Sequence, residues 1–424
     1  MYQVTSNNFQ EYYPKICESL KRAKFVSFDG EFSGINRKDE LKVSLFDSPE
    51  QRYEKLRISI KKCIIIQFGI TTYDYDRDTN KYIAEVYNFY LFPKVVPGRD
   101  AVLEFQSSAI EFLSSHGFDF NKFAYQGISY LAEEEEIELR RKVADNTVLR
   151  HVERSVSYME EDQLKASYTQ VSDWLKNCTI GESMSLKADS PMLEYLMQKE
   201  LRTRYLEIWT EVDKDLRKIL EEKEGDKLEK VLINSCIGFS QLFKLIVSLK
   251  IPIVGHNVLL DLLFMHQQFY KPLPNKYFQF KETIHKLFPT IYDTKHISFE
   301  LKTILKKEGT LNKRTFLISE TRKFHEAGWD SYCAGYCFLR MSHALAASRY
   351  GGSLTNKEIL AGPTEYANCI NLIRGNNNFS TNRYYNIIIS NLLQIAELFS
   401  TYGTVDVKLF TPRQALVAVA NHGR

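Results

Sequence analysis

The sequence has no CxxC pair, and its seven cysteines are scattered and odd in number. No zinc site or disulfide framework is legible, and a reducing compartment is the default. No run of about 18 apolar residues occurs, so no segment is expected to span a membrane. The opening residues MYQVTSNNFQ lack a basic region and an apolar core, and no secretory signal is expected there. An excess of one sign of charge is also lacking: 56 Lys and Arg against 53 Asp and Glu give a net charge of +3. Bulk charge therefore does not announce a nucleic-acid binder, and any basic patch would have to be local. Internal repeats and low-complexity tracts are absent as well.

At 424 residues the chain is too long for one ordinary core and implies two or three units. Hydrophobic content of 44% and charged content of 26% fit a soluble globular protein. With 27 Phe and 25 Tyr, the chain can build large cores and also base-stacking surfaces.

Apolar spacing predicts a helix over 8–23, then a buried strand KFVSFDGEF. RISIKKCIIIQFGITTYDYD and KYIAEVYNFYLFP read as two long strands joined by DRDTN. AVLEFQSSAIEFLSSHG reads as a helix ended by glycine. Composition shifts near residue 131. LAEEEEIELRRKVADN is a charged helix, and the stretch to about 231 stays charged, including DKDLRKILEEKEGDKLEK, expected as exposed helix. IGFSQLFKLIVSLKIPIVGHNVLLDLLFMHQQFY then reads as helix, strand, helix, the alternation of an α/β layer fold. IYDTKHIS follows as short strand and loop. A basic stretch runs from Ser298 to Phe324, and HEAGWDSYCAGYCFLRMSHALA is a long helix. The tail reads as strand YYNIIIS, helix LLQIAELFSTYG, and strands VDVKLF and ALVAVA.

Three acidic constellations stand out. Asp29 and Glu31 are two apart in a strand, so both side chains face one way. Two carboxylates on one face of an apolar strand repel each other and lose hydration, which a divalent cation between them would offset. Asp261 follows Gly255-His256-Asn257, where the glycine ends a strand and Asn257 suits a helix N-cap. His325 precedes Asp330 by five residues. A helix starting near Gly328 would put Asp330 in its first turn and leave His325 on the approach loop. Singly, each reads as something ordinary: an exposed strand end, a partnered acid, a lone surface histidine. Together they are four hard oxygen ligands from three segments, which suit Mg²⁺ or Mn²⁺. Two such ions stabilise the attacking and leaving oxygens of a phosphoryl displacement. A histidine titrating near neutrality can take the proton of the attacking water.

The order DxE, N-x₃-D, H-x₄-D resembles the motifs of the DEDDh exonucleases, which have an RNase H-like fold. The phrases FVSFDGEFSGI, GFDFNK, IPIVGHNVLLDLLFMHQQFYKPLP, YDTK and HEAGWDSYCAG further resemble the poly(A)-specific ribonuclease family. That family holds deadenylases and enzymes that trim piRNA 3′ ends. The resemblance implies an α/β fold, a mixed sheet flanked by helices, over 1–130 and 232–372. It implies a charged helical insertion at 131–231 and a small α+β tail at 373–424 like part of an RRM. It implies Asp29, Glu31, Asp261 and Asp330 as ligands of two Mg²⁺ ions, with Mn²⁺ as the alternative, and His325 as general base. Matching substrate positions are Phe32, Ile35, Ile110, Phe112 and Lys295. Beside the first acidic pair, Phe32 and Ile35 suit sequence-tolerant stacking. Ile110 and Phe112 are otherwise plain core, and Lys295 could neutralise a phosphate.

The sequence also departs from the family. The Arg-x₃-His signature of the inserted nucleic-acid-binding domain is missing from 131–231. RQALVAVANH lacks the RNA-stacking aromatics of an RRM, and Trp174, Trp209 and Trp329 do not match the cap-binding tryptophan. Docking or dimerisation is thus the expected role of the tail. The degenerate accessory parts favour trimming of small-RNA 3′ extensions over shortening of poly(A) tails. The absence of a C-terminal membrane anchor, which trimming members often carry, argues the other way. The expected partners are a single-stranded RNA 3′ end and an Argonaute/Piwi-type protein presenting it, in the cytoplasm or its granules, with the nucleus not excluded. The alternatives from other classes are an inactive RNA-binding scaffold and a DNA-specific proofreading exonuclease.

Overall fold

The computed structural model describes residues 1–35, 41–96, 99–145, 158–179, 182–188, 191–205, 208, 210, 227–308, 325–351, 353–371, 396, 400, 404–411 and 414–420. The chain divides into two compact units. Met1–Leu91, Leu103–Gly127 and Leu245–Arg424 form the first, and Phe92–Val102 and Ile128–Lys244 the second.

The first unit is built on β1 (Tyr2–Val4), β2 (Phe25–Phe32), β3 (Ile65–Asp76), β4 (Lys81–Tyr90), β5 (Ile253–Gly255) and β6 (Ile291–Asp293). They form one sheet in the order β1-β4-β3-β2-β5-β6. β2, β3 and β4 run antiparallel, β5 and β6 run parallel to β2, and β1 runs parallel to β4. This is the mixed sheet expected of the fold. Its early helices are α1 (Phe9–Arg22), α2 (Pro49–Ser59), α3 (Ser107–Ser115) and α4 (Phe120–Gln126). The second unit contains α5 (Glu133–Ala144), α6 (Tyr158–Asn177), α7 (Pro191–Arg204) and α8 (Lys227–Ile237). Leu139, Val143, Leu196, Leu232 and Ile237 share a buried cluster there. The chain continues through α9 (Phe239–Leu249), α10 (Leu259–Met265), α11 (Tyr277–Leu287), α12 (Thr294–Glu308), α13 (Ala327–Tyr350) and α14 (Asn356–Ala361). β7 (Thr404–Thr411) and β8 (Gln414–Ala420) pair antiparallel in a sheet of their own. Among the described residues no helix is long and apolar enough to cross a membrane.

Several local expectations need correction. RISI does not join the strand that follows it: Arg57 to Ser59 close α2 and the strand begins at Ile65. The signal was there in Ser48-Pro49-Glu50-Gln51. Ser48 Oγ accepts from Gln51 N, the Gln51 side chain accepts from Ser48 N, and Pro49 sits at the first helical position. Residues 101–106 are not helical; α3 starts only after Gln106. TKHIS opens α12 instead of a loop, its first turn tied by Lys295 N donating to Asp293 Oδ1 at 3.0 Å. Most of DKDLRKILEEKEGDKLEK, the stretch 309–324, and the tail's YYNIIIS and nearly all of LLQIAELFSTYG lie outside the described residues.

The sheet face that matters for chemistry is unusually polar. Register pairs Ser27 with Thr71, Asp29 with Gly69 and Glu31 with Gln67, and places Asn88 beside Gly69. All of these share one face by the two-residue period. Helix α13 lies on it. Ser27 Oγ donates to Ser331 O at 2.6 Å, and Tyr73 Oη donates to Tyr332 O at 2.6 Å. Further along, Phe25 stacks on Tyr73 at 4.6 Å and meets the edge of Phe338 at 5.0 Å. The approach is closest at Gly69, where an added Cβ would stand 1.9 Å from Ala327 O. We expect Gly69→Ala to cost about 3 kcal/mol or more, because the three atoms the new Cβ would meet all belong to backbone. Urea denaturation checks this; an unchanged midpoint would contradict the packing.

Candidate active site

Each acidic side chain reaches one end of this sheet by a different local device. Asp29 and Glu31 lie at the C-terminal end of β2, on the α13 face. Asp330 lies in the first turn of α13. Glu326, at that helix's N-cap position, makes no capping bond from its side chain. The first N–H groups of α13 are instead satisfied by the sheet: Ala327 N donates to Gln67 Oε1 and Gly328 N to Asn88 Oδ1, each at 2.9 Å. Two sheet amides therefore set where Asp330 stands, offsetting orphan donors that would otherwise be buried. Nothing in the spacing of the acids pointed to Gln67 or Asn88. Their position in the middle of apolar strands was the available signal.

Asp261 comes from β5 through a turn. Asn257 does not cap α10; Val258 is the cap residue, and Asn257 takes a left-handed φ of 61°. A short polar side chain tolerates that conformation. Its N–H donates to Asp293 Oδ1 at 2.8 Å, and its Oδ1 accepts from Lys295 Nζ at 3.3 Å. Asp293, which the sequence reading passed over, is fully buried and also accepts from Lys295 N and Asn371 N. It fixes the turn that delivers Asp261. Asp261 itself is 6% exposed, and its Oδ1 is buried with no hydrogen-bond partner among the described residues.

The electrostatics follow from this crowding. Burial pushes the Asp29 carboxyl well above its ordinary value, and the charges of Asp261, Glu31 and Asp330 push it further. Burial, then Asp330 and Asp261, raises Glu31 to about 8. Burial also raises Asp261 to about 8 and Asp330 to about 6; in Asp330 the bond from His325 N acts in the opposite direction. The charges of Asp261, Glu31 and Asp330 thus all act on Asp29. Repulsion of this kind is what bound cations relieve.

His325 sits before α13 with φ 65°, and its N–H donates to Asp330 Oδ2 at 2.9 Å. Ligand atoms of Glu31, His325 and Asp330 lie within 4.8 Å of one another, a set that could hold a metal ion. The ring of His325 meets His116 at 4.2 Å and Phe112 at 4.7 Å, both edge to face. Burial lowers its pKa, and neighbouring His116 lowers it further. His116 was not foreseen from the sequence. It is the C-cap residue of α3 and becomes a neighbour of His325 only in the folded chain.

Next to the acids, a cavity of about 370 Å³ is walled by Glu31, Phe32, Ile35, Gln106, Ser108 and Phe112, among others. Phe32 stacks on Phe264 at 4.4 Å, which fixes its ring. Ile110 and Phe112 are not core: they are 38% and 42% exposed on α3. Ile110 and Lys295 are not among the residues lining that cavity. Lys295 belongs to the Asp261 side, where it holds Asn257.

The chain matches the CAF1 family of ribonucleases over residues 4–338. It is 36% identical to the pre-piRNA 3′-exonuclease trimmer of Bombyx mori, over 98% of this chain and 88% of that one. It is 31% identical to poly(A)-specific ribonuclease PNLDC1 of Mus musculus, over 88% of this chain and 77% of that one. It is also 31% identical to poly(A)-specific ribonuclease PARN of Xenopus laevis, over 87% of this chain and 65% of that one. With the family match covering most of its length and relatives above 30% identity, the chain belongs to the CAF1 ribonuclease family and is a 3′→5′ exoribonuclease.

Proposed function

We propose that this exoribonuclease trims the single-stranded 3′ extensions of small-RNA precursors of the piRNA kind. Such a substrate would be presented by a Piwi-type protein in the cytoplasm. The reaction is metal-dependent hydrolysis releasing nucleoside 5′-monophosphates. Asp29, Glu31, Asp261 and Asp330 would hold two Mg²⁺ ions. The observation that carries the metal assignment is the unpartnered, buried Asp261 Oδ1 among carboxyls whose pKa values are all raised. When bound, divalent cations would supply charge stabilisation at the attacking and leaving oxygens.

The chain's own residues do the rest. His325, whose pKa burial and His116 lower, would in its neutral form take the proton of the attacking water. Phe32, Ile35 and Phe112 form an apolar slot beside Glu31 that would receive the terminal nucleoside by stacking, without reading base edges. We expect His325→Ala to lower kcat by about 10²-fold or more, the usual share of a general base. It should also flatten the acidic limb of the pH–rate profile. An unchanged profile would remove His325 from that role.

The trimming assignment leans on the relative from Bombyx mori, which matches over most of both chains. The names of the other two relatives favour a second reading, shortening of poly(A) tails. Sequencing RNA 3′ ends with wild type and the Asp29→Ala variant separates the two. Trimming predicts extended small-RNA species in the variant. Longer poly(A) tails with unchanged small RNAs would overturn it.

A further inference from the structure

One wall of the slot beside Glu31 is not held by its own segment. After β2 ends at Phe32, the chain passes through Ser33, Gly34 and Ile35, and among the described residues Ile35 has no strand partner. Gln106 supplies what is missing. Its backbone N–H donates to Ser33 O at 2.9 Å. Its side-chain Oε1 accepts from Ile35 N at 3.1 Å. Between these two bonds Gly34 adopts φ +152°, and the place of a Cβ there is taken by Gln106 Cβ at 2.5 Å. A side chain at 34 would thus collide with the clamp, so glycine is required by the close approach. Ser33 is tied on its other side, donating from Oγ to Glu104 O at 2.8 Å and accepting from Ile64 N at 3.0 Å.

Gln106 also occupies the N-cap position of α3, yet its side chain makes no capping bond there. An N-cap is normally a short polar residue that returns to its own helix. Here the longer amide reaches across to another segment. The turn carrying Ile35 is thereby fastened to the start of the helix carrying Phe112, and both residues line the same cavity.

We propose that Gln106 is a positioning residue for the RNA substrate: its side-chain and backbone bonds to Ile35 and Ser33 hold the two walls of the nucleoside slot at a fixed spacing. The proposal rests on the slot reading given above. It predicts an effect on binding with little effect on the chemical step, because Gln106 lines the slot and its bonds go to Ile35 and Ser33, with none to the four carboxylates among the described residues. Its Oε1 also explains why the amide is needed: methionine would fill the same space without accepting a hydrogen bond.

The test compares Gln106→Met with wild type on a single-stranded RNA oligonucleotide, in saturating Mg²⁺. Amide hydrogen exchange at Ile35 is followed in the same preparations. The expected result is a rise in KM of about tenfold, the scale of one lost hydrogen bond. kcat should stay within twofold, and exchange at Ile35 should be faster. If exchange at Ile35 rises but KM stays within twofold, the clamp does not position substrate and the proposal fails. If kcat falls as far as kcat/KM, the residue acts on the catalytic step and the proposal also fails. Ile35→Ala and Phe112→Ala test the slot itself. If they leave KM unchanged, the slot reading is wrong; if they raise KM while Gln106→Met does not, only the clamp is wrong. Should Gln106→Met not fold, Gln106→Glu, which keeps an acceptor for Ile35 N, is measured instead: protected exchange at Ile35 with a KM near that of wild type is expected, and a roughly tenfold rise in KM at unchanged exchange would overturn the clamp. Failure of that variant to fold as well would assign Gln106 to stability alone and overturn the proposal.

Discussion

Replacing Asp29 by alanine is expected to abolish Mg²⁺-dependent digestion of RNA while leaving the fold intact. Asp29 is the carboxyl on which Asp261, Glu31 and Asp330 all act. A cation relieving that repulsion would lose one of its ligands. If the loss removes about 4 kcal/mol of transition-state stabilisation, the rate falls on the order of 10³-fold. The fold should tolerate the change, since the backbone of β2 stays paired to β3 on one side and β5 on the other. Turnover within about tenfold of wild type, at equal circular dichroism, would reject the metal assignment.

The second large effect concerns stability, and its direction is opposite to that of activity. Asp261→Asn should stabilise the metal-free protein at pH 8 while removing its turnover. Asp261 has an ordinary carboxyl pKa when unfolded and one raised to about 8 in the folded chain. Below pH 4 it is protonated in both states and has no effect. Between pH 4 and 8 the unfolded state ionises more readily, so folding is progressively disfavoured as pH rises. Above pH 8 the full penalty is present. Glu31 adds to the same slope in the same window, and Asp330 adds up to about pH 6. Asparagine removes the Asp261 contribution. The thermal midpoint of the metal-free variant at pH 8 should exceed that of wild type by a few degrees, with the gap closing towards pH 4. Saturating Mg²⁺ should raise the wild-type midpoint far more than the variant's, because binding only to the folded state adds stability. Equal midpoints at pH 8 without metal would show that the buried carboxyl is not strained as described. This is the usual conflict between a functional site and the stability of its scaffold.

Much of this site could be read before the fold was known, and the reasons are local. Asp29 and Glu31 share a face because a strand has period two, and β2 does span both. Asp330 falls in the first turn of a long helix because Gly328 and the apolar spacing after it announce one, and α13 begins at Ala327. Long apolar strands separated by polar turns were also legible, since β3 and β4 match their runs apart from the α2 residues wrongly joined to the first. The errors share a cause. RISI has strand-like residues, but a capping box opening at Ser48, nine residues before Arg57, had already committed it to a helix. Asn257 has the composition of a cap, yet the demand for a left-handed turn between β5 and α10 used it otherwise.

What the sequence determined by itself is the chemical inventory and its order: four acids, one histidine, and the strand, helix or loop that carries each. Those follow from covalent spacing and short-range periodicity. Only the tertiary structure decided which groups face one another. Gln67 and Asn88 became caps for α13, Asp293 an anchor for the Asp261 turn, His116 a neighbour of His325, and Gln106 a clamp on Ile35. Each of these contacts joins residues far apart in the chain, set by strand register and by a helix resting on the sheet at Gly69. No local pattern encodes such a pairing, because it is the packing of whole elements that brings the two ends together.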